Sequence, residues 1–233
     1  MKQYRFLLFD LDNTLLDFDA AEQVAIRGAF RELGLEPTDA LIDRYCAINV
    51  AQWEAFERGE LSRDEVLVRR FALLFGELGL SLDPEHTEAL YRRRLGIGHY
   101  FIPHAPEVLA ALAPHYQLFI ASNGVADTQE SRLASAGIVP YFQDIFISET
   151  TGHHKPERAY FDYCFSHIAG FDPRAALMIG DSLTSDILGG RNAGIDTCWF
   201  NPKHSPGRPD ILPTYEIRSL PELPELLKRL ASD

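Results

Sequence analysis

The chain has 233 residues, 46% of them hydrophobic and 24% charged, which suits an α/β domain or a core domain with an insertion. A formal net charge of −12 argues against a nucleic-acid polymer or an anionic membrane as partner. It leaves room for an anionic small molecule, because one metal ion and one lysine reverse the potential inside a cleft. Cys46, Cys164 and Cys198 form no CxxC pair, so neither a zinc site nor a disulfide framework is suggested, and a reducing cytoplasm fits best.

In chain order, Tyr4 to Phe9 is a short apolar run that ends at Asp10. The wider stretch Phe6 to Leu16 is interrupted by Asp10 and Asp12 and leads to no small-residue cleavage site, so it does not read as a signal sequence. No apolar run is long enough to span a bilayer. Between Asp17 and about Tyr100 the strand pattern disappears. Ala20 to Leu33, Asp39 to Phe56, Ser62 to Leu78 and Pro84 to Leu95 read as helices with Gly-containing breaks. Residues 17–100 are therefore expected to form an all-helical insertion, a cap, and residues 1–16 with 101–233 the core.

Beyond residue 100, strand patterns return at Gln117 to Ala121, Asp144 to Ile147, Ala176 to Ile179 and Thr197 to Phe200. Helical patterns alternate with them: Asp127 to Ala136 stopping at Gly137, a helix beginning near Pro156, and Ser185 to Ala193 stopping at Gly194. Pro202 to Pro213 is a Pro-rich loop and Leu220 to Leu230 a closing helix. Alternating strands and helices predict βαβ units in a doubly wound parallel sheet, with ligands beyond the carboxyl ends of the strands.

The residues at those ends carry the chemistry. Asp10 and Asp12 place two carboxylates one residue apart, an arrangement that a hard divalent ion such as Mg²⁺ would relieve and that a plain strand-end turn would also explain. Asp181 supplies a further carboxylate after another strand. Asp186 falls near a helix start, as an N-terminal cap, a second-shell group around the metal, or both. Ser122-Asn123-Gly124 offers a hydroxyl and backbone N–H groups for a phosphate, or an ordinary cap. Lys155 stands before a helix, where its charge opposes the helix dipole, which hints at pairing with Asp10 and a phosphoryl group.

Together these segments resemble the four motifs of the haloacid dehalogenase superfamily: Asp10-Leu11-Asp12-Asn13-Thr14, Ser122-Asn123, Lys155-Pro156, and Gly180-Asp181 with Asp186. The resemblance implies a Rossmann-like core with a C1-type helical cap inserted after the first motif. It implies that Asp10 is a nucleophile forming an aspartyl-phosphate and that Asp12 is the general acid and base, with its backbone carbonyl on the metal. Ser122, Asn123 and Lys155 would bind phosphate, and Asp10, Asp12 and Asp181 would hold Mg²⁺. Dehalogenases of the superfamily lack a carboxylate at the place of Asp12, so its presence favours phosphoester chemistry.

A narrower resemblance is to YjjG-type pyrimidine 5′-nucleotidases. It rests on Ala47-Ile48-Asn49 with Trp53, on Ile147-Ser148-Glu149, and on the run from Ser185 to Gly194 continued by Cys198-Trp199. It implies a nucleoside monophosphate as substrate, with Trp53 stacking on the base and Asn49 reading its edge. Trp53 as cap core and Asn49 as a helix-surface residue is the competing account. Sugar-phosphate or phosphoglycolate hydrolysis, a phosphomutase, and non-catalytic phosphate binding also stay open. His153-His154 and His104 depart from the pattern, and with His99 these histidines lack a recognisable ligand spacing. Oligomeric state is left undetermined.

Overall fold

Six parallel strands are hydrogen-bonded in the order β3-β2-β1-β4-β5-β6 in a computed structural model that describes residues 2–232. They are β1 (Phe6–Phe9), β2 (Gln117–Ser122), β3 (Phe142–Ile147), β4 (Ala176–Gly180), β5 (Asp196–Phe200) and β6 (Tyr215–Ile217). Strand order reverses on either side of β1, so the sheet is doubly wound and its crevice opens at the ends of β1 and its neighbours. Alternation along β1 fills both faces. Leu7 and Phe9 pack with Leu118, Ile120, Leu177 and Ile179, while Phe6 and Leu8 pack with Phe119, Ala121 and Met178.

The helices are α1 (Phe18–Glu32), α2 (Asp39–Glu57), α3 (Arg63–Leu78), α4 (Pro84–Leu95), α5 (Ala105–Leu112), α6 (Ala126–Ala136), α7 (Ser148–Thr151), α8 (Arg158–His167), α9 (Leu188–Ala193) and α10 (Glu222–Ser232). Leu109 of α5 and Leu223 and Leu227 of α10 cover one face of the sheet. Tyr160, Phe161 and Cys164 of α8 cover the other. Gly137 and Gly194 terminate α6 and α9 with φ of 69° and 80°, the left-handed geometry that a side chain disfavours.

The described residues divide into two units: those of Met1–Phe18 with His99–Asp233, and Asp19–Gly98. The chain leaves the first unit beside a backbone hydrogen bond from Asp17 to Tyr100, with Leu16 bridged to Phe101. The second unit contains only helices among its described residues. Its helix starts are written in local chemistry. Thr38 caps α2, Ser62 and Glu65 form a reciprocal capping box at α3, and Asp83 with Pro84 opens α4.

Three elements go beyond the sequence pattern: α5, the short α7 and β6. Strand β6 lies at the sheet edge and buries only Ile217 fully, which explains its weak signal. The helix expected over Ser185 to Ala193 begins as a π-helical turn at Leu183–Ile187. Its cap is Ser182, whose hydroxyl accepts from the Ser185 N–H at 3.1 Å, so the capping role considered for Asp186 belongs to Ser182. No helix is long and apolar enough to cross a membrane among the described residues.

Candidate active site

The ends of three strands, β1, β2 and β4, meet at Asp10. Its backbone N–H extends the sheet to the Ile179 carbonyl, and the residue is 7% exposed at the end of β1. Lys155 Nζ lies 2.7 Å from Asp10 Oδ1, 2.7 Å from Asp186 Oδ1 and 2.6 Å from the Ala121 carbonyl at the end of β2. The ammonium is 1% exposed, and three acceptors use its three protons. Thr14 bridges the set: its hydroxyl donates to Asp10 Oδ2 at 3.3 Å and accepts from the Asp181 N–H at 3.1 Å.

The π-helical turn brings Asp186 back toward the strand it follows. Its Oδ2 accepts from the Ser182 N–H at 3.0 Å. A Cβ on residue 180 would stand 2.1 Å from that same oxygen, so only glycine at the end of β4 permits the approach. A carboxylate oxygen from each of Asp10, Asp181 and Asp186 lies within 4.8 Å of the others. One lysine opposes these carboxyl groups. Burial, partly offset by Lys155 and reinforced by Asp186 and Asp12, raises Asp10 to about 7. Burial, then the charges of Asp10 and Asp186, raise Asp181 well above the carboxylate range. For Lys155 burial opposes the charge, yet Asp10 and Asp186 prevail and raise its pKa.

The expected site residues fall into distinct places. Asp10, Asp181, Asp186 and Lys155 lie together, whereas the carboxylate of Asp12 faces elsewhere. Gln129 Nε2 donates to Asp12 Oδ2 at 2.6 Å, and Arg132 donates to Asp12 Oδ1. The Asp12 carboxylate is thus not among the oxygens grouped with Asp10, Asp181 and Asp186. Ser122 Oγ accepts from the Gly124 N–H at 3.1 Å and from Gln129 Nε2 at 2.9 Å. The Asn123 side chain clamps the Lys155 peptide, donating to its carbonyl and accepting from its N–H, both at 2.9 Å. The Asn123 side chain is thereby occupied by that peptide.

Asn49 and Trp53 belong to the helical unit. Asn49 is 2% exposed, and its amide donates to Glu22 at 2.6 Å and accepts from Arg70 at 2.8 Å. It is thus a buried bridge, neither a surface residue nor an amide with a free edge. Trp53 is half-buried, edge-on to Phe56 at 5.6 Å. His154 pairs with Glu157 at 2.9 Å, and His104 starts α5 at a φ of 68°, where glycine would be at ease. No histidine joins a possible metal group among the described residues.

Gln129 and Arg132 were not legible as site residues in the motifs. A signal existed: α6 is amphipathic, and both fall on the face that buries Thr128 and Leu133. Polar side chains on the apolar face of a helix need partners, and here the partner is Asp12.

This sheet and this strand-end constellation define a haloacid dehalogenase-like hydrolase, and the chain belongs to that family, whose model matches residues 7–200. It is similar to the HAD-hydrolase YfnB of Bacillus subtilis, at 47% identity over 97% of both chains. A YfnB structure bound to magnesium superposes with a TM-score of 0.94 over 97% of this chain and 99% of that one. Pyrimidine 5′-nucleotidase PynA of Streptococcus pneumoniae is 41% identical, over 97% of this chain and 96% of its own. Pyrimidine 5′-nucleotidase YjjG of Escherichia coli is 30% identical, over 97% and 98%.

The donor set fits Mg²⁺. Hard oxygen ligands, an uncompensated excess of negative charge and no sulfur or imidazole donor are what a small divalent ion selects.

Proposed function

We propose that the chain is a Mg²⁺-dependent phosphomonoesterase acting through an aspartyl-phosphate on Asp10, with nucleoside 5′-monophosphates, pyrimidine nucleotides foremost, as substrates. The observation that carries the reading is the Asp10 carboxylate, held at the end of β1 by Lys155 at 2.7 Å and grouped with Asp181 and Asp186. Full-length similarity to two pyrimidine 5′-nucleotidases supports the choice of ester.

Asp10 attacks phosphorus as the ester P–O bond breaks, and Asp12 gives its proton to the departing alkoxide. Asp12 then takes a proton from the water that attacks the aspartyl-phosphate, releasing inorganic phosphate and restoring the Asp10 carboxylate. In this reading the Ser122 hydroxyl would donate to a phosphoryl oxygen, while Lys155, held against Asp10 at 2.7 Å, would offset charge from behind the nucleophile. Asp10, Asp181 and the Asp12 carbonyl would hold Mg²⁺, with Asp186 supporting Lys155 and the ion from behind. When bound, the ion supplies a fixed double positive charge that the phosphoryl group meets on arrival.

Residues 19–98 serve in this reading as a cap that chooses the leaving group. Trp53 is its candidate stacking surface, while Asn49 frames the cap from inside. Three free thiols suit a reducing cytoplasm as the compartment. A substrate panel with Mg²⁺ tests the whole: pyrimidine and purine nucleoside monophosphates, sugar phosphates and phosphoglycolate. Preference for pyrimidine nucleotides, abolished in Asp10→Asn, is the expected result. Equal turnover by wild type and Asp10→Asn refutes the nucleophile, and preference for a sugar phosphate refutes the nucleotidase reading.

A further inference from the structure

Asp12 lies close enough to Asp10 and Asp181 for its charge to act on both, yet both its oxygens are turned onto donors from a single helix. Gln129 and Arg132 lie one turn apart on α6, and both are buried, the guanidinium completely. Gln129 links three groups at once: Nε2 reaches Asp12 and Ser122, and Oε1 accepts from Arg132 at 2.9 Å. Arg132 also lies over the ring of Phe18, 5.7 Å from its centroid. The Asp12 side chain itself is 29% exposed, so a fully buried anchor presents a partly open carboxylate.

A second observation makes the same point from the backbone. A Cβ on residue 124 would fall 2.4 Å from Gln129 Nε2 and 2.7 Å from its Cγ. The glycine of the Ser122-Asn123-Gly124 turn therefore makes room for Gln129 to reach over Ser122 to Asp12. Lys155 is committed to Asp10, Asp186 and the Ala121 carbonyl, so Asp12 depends on a different cation. Without Arg132, repulsion from the neighbouring carboxylates would turn Asp12 outward.

We propose that Arg132 and Gln129 are positioning residues for Asp12, an inference that rests on the phosphatase reading above. They fix where the Asp12 carboxyl stands for proton transfer and tie it to the phosphate-contacting Ser122. Neither side chain exchanges a proton or forms a bond to phosphorus.

The test separates esters that need a proton from those that do not. A nucleoside monophosphate leaves as a strongly basic alkoxide, whereas p-nitrophenyl phosphate leaves as a stable phenolate. In Arg132→Met, kcat/KM for the nucleotide falls about 100-fold, within the usual range for proton transfer, and that for the aryl ester falls less than about tenfold. Arg132→Lys restores part of the difference, and Gln129→Leu shows a smaller split in the same sense. Equal losses for both esters overturn the proposal.

A readout without turnover accompanies it: in metal-free crystals of Arg132→Met, the Asp12 carboxylate leaves its place beside Gln129. Finding it unmoved overturns the proposal as well. Wild-type enzyme inert towards both esters would instead defeat the phosphatase reading, and the crystallographic arm still decides on positioning.

Discussion

The sheet unit and the helical unit each bury a basic side chain among carboxyl groups, and each lifts one carboxyl to about 7 by burial, Asp10 in the first and Glu22 in the second. The surroundings differ. At the strand ends, Lys155 faces Asp10 and Asp186, with Asp181 beside them. In the helical unit, Arg70 bonds Glu88 at 2.5 Å and reaches Glu22 only through the neutral amide of Asn49. Its guanidinium also lies against the rings of Phe71 and Tyr91. A raised carboxyl pKa therefore does not by itself mark the reactive site. The unbalanced cluster at the strand ends differs in kind, because its excess charge calls for an ion, whereas the helical cluster is closed by its own members.

The largest effect that sharpens this contrast is on turnover. On the proposed mechanism, in which Asp10 is the nucleophile, Asp10→Asn lowers kcat by about 10⁴-fold or more. In metal-free protein the same change raises the denaturation midpoint, because one of the clustered charges is gone. A variant that loses activity and gains stability marks strain held for function. If stability falls instead, the strand-end cluster is structural like its counterpart.

Arg70→Met probes the other side. It strands Glu88, which is 7% exposed, and leaves the Asn49 carbonyl without its guanidinium partner. Removing one partner of a buried pair costs about 3–5 kcal/mol, and urea denaturation of the variant should show a loss of that order. A loss below about 1 kcal/mol, the level of an exposed pair, would mean the helical network is not closed at all.

Magnesium gives a third, smaller discrimination. At a concentration 100 times its dissociation constant, the ion stabilises the wild type by about 2.7 kcal/mol. Asp181→Asn loses most of that shift, whereas Glu88→Gln keeps it. Equal shifts in both variants would remove the distinction between the two clusters.

The contrast was half legible in the sequence. Asp10, Ser122 and Asp181 each follow a short apolar run, and buried parallel strands present their last residues at one edge, so convergence of these motifs could be argued from pattern alone. Lys155 betrayed itself by opposing a helix dipole. What pattern could not give was the direction of side chains. Asp12 and Asn123 occupy the expected backbone positions, yet one turns to α6 and the other to the Lys155 peptide. The π-helical turn that swings Asp186 onto Lys155 depends on a Cβ-free residue 180, a fact of three dimensions. In the helical unit, the sequence leaves Asn49 as either a base-reading amide or a surface residue, because its partners, Glu22 and Arg70, lie on other helices, 27 and 21 residues away.

The smallest effect concerns Glu22, and its sign follows from burial. The carboxyl is raised from 4.5 to about 7, so between those values the folded chain holds a proton that the unfolded chain has released. Stability from this group is fully present below about 4.5 and is lost as pH rises through about 7, at 1.36 kcal/mol per unit, or roughly 3 kcal/mol in all. Burial also raises Glu88, which faces the same arginine, but that contribution is common to wild type and variant. Glu22→Gln keeps an oxygen to accept from Asn49 and cannot ionise. Urea titrations of the two proteins should accordingly differ most at pH 8, where the variant is more stable by about 3 kcal/mol, and converge toward pH 5. Parallel curves across that interval would mean that Glu22 is ionised in the fold, and the helical cluster would then carry excess charge just as the strand ends do.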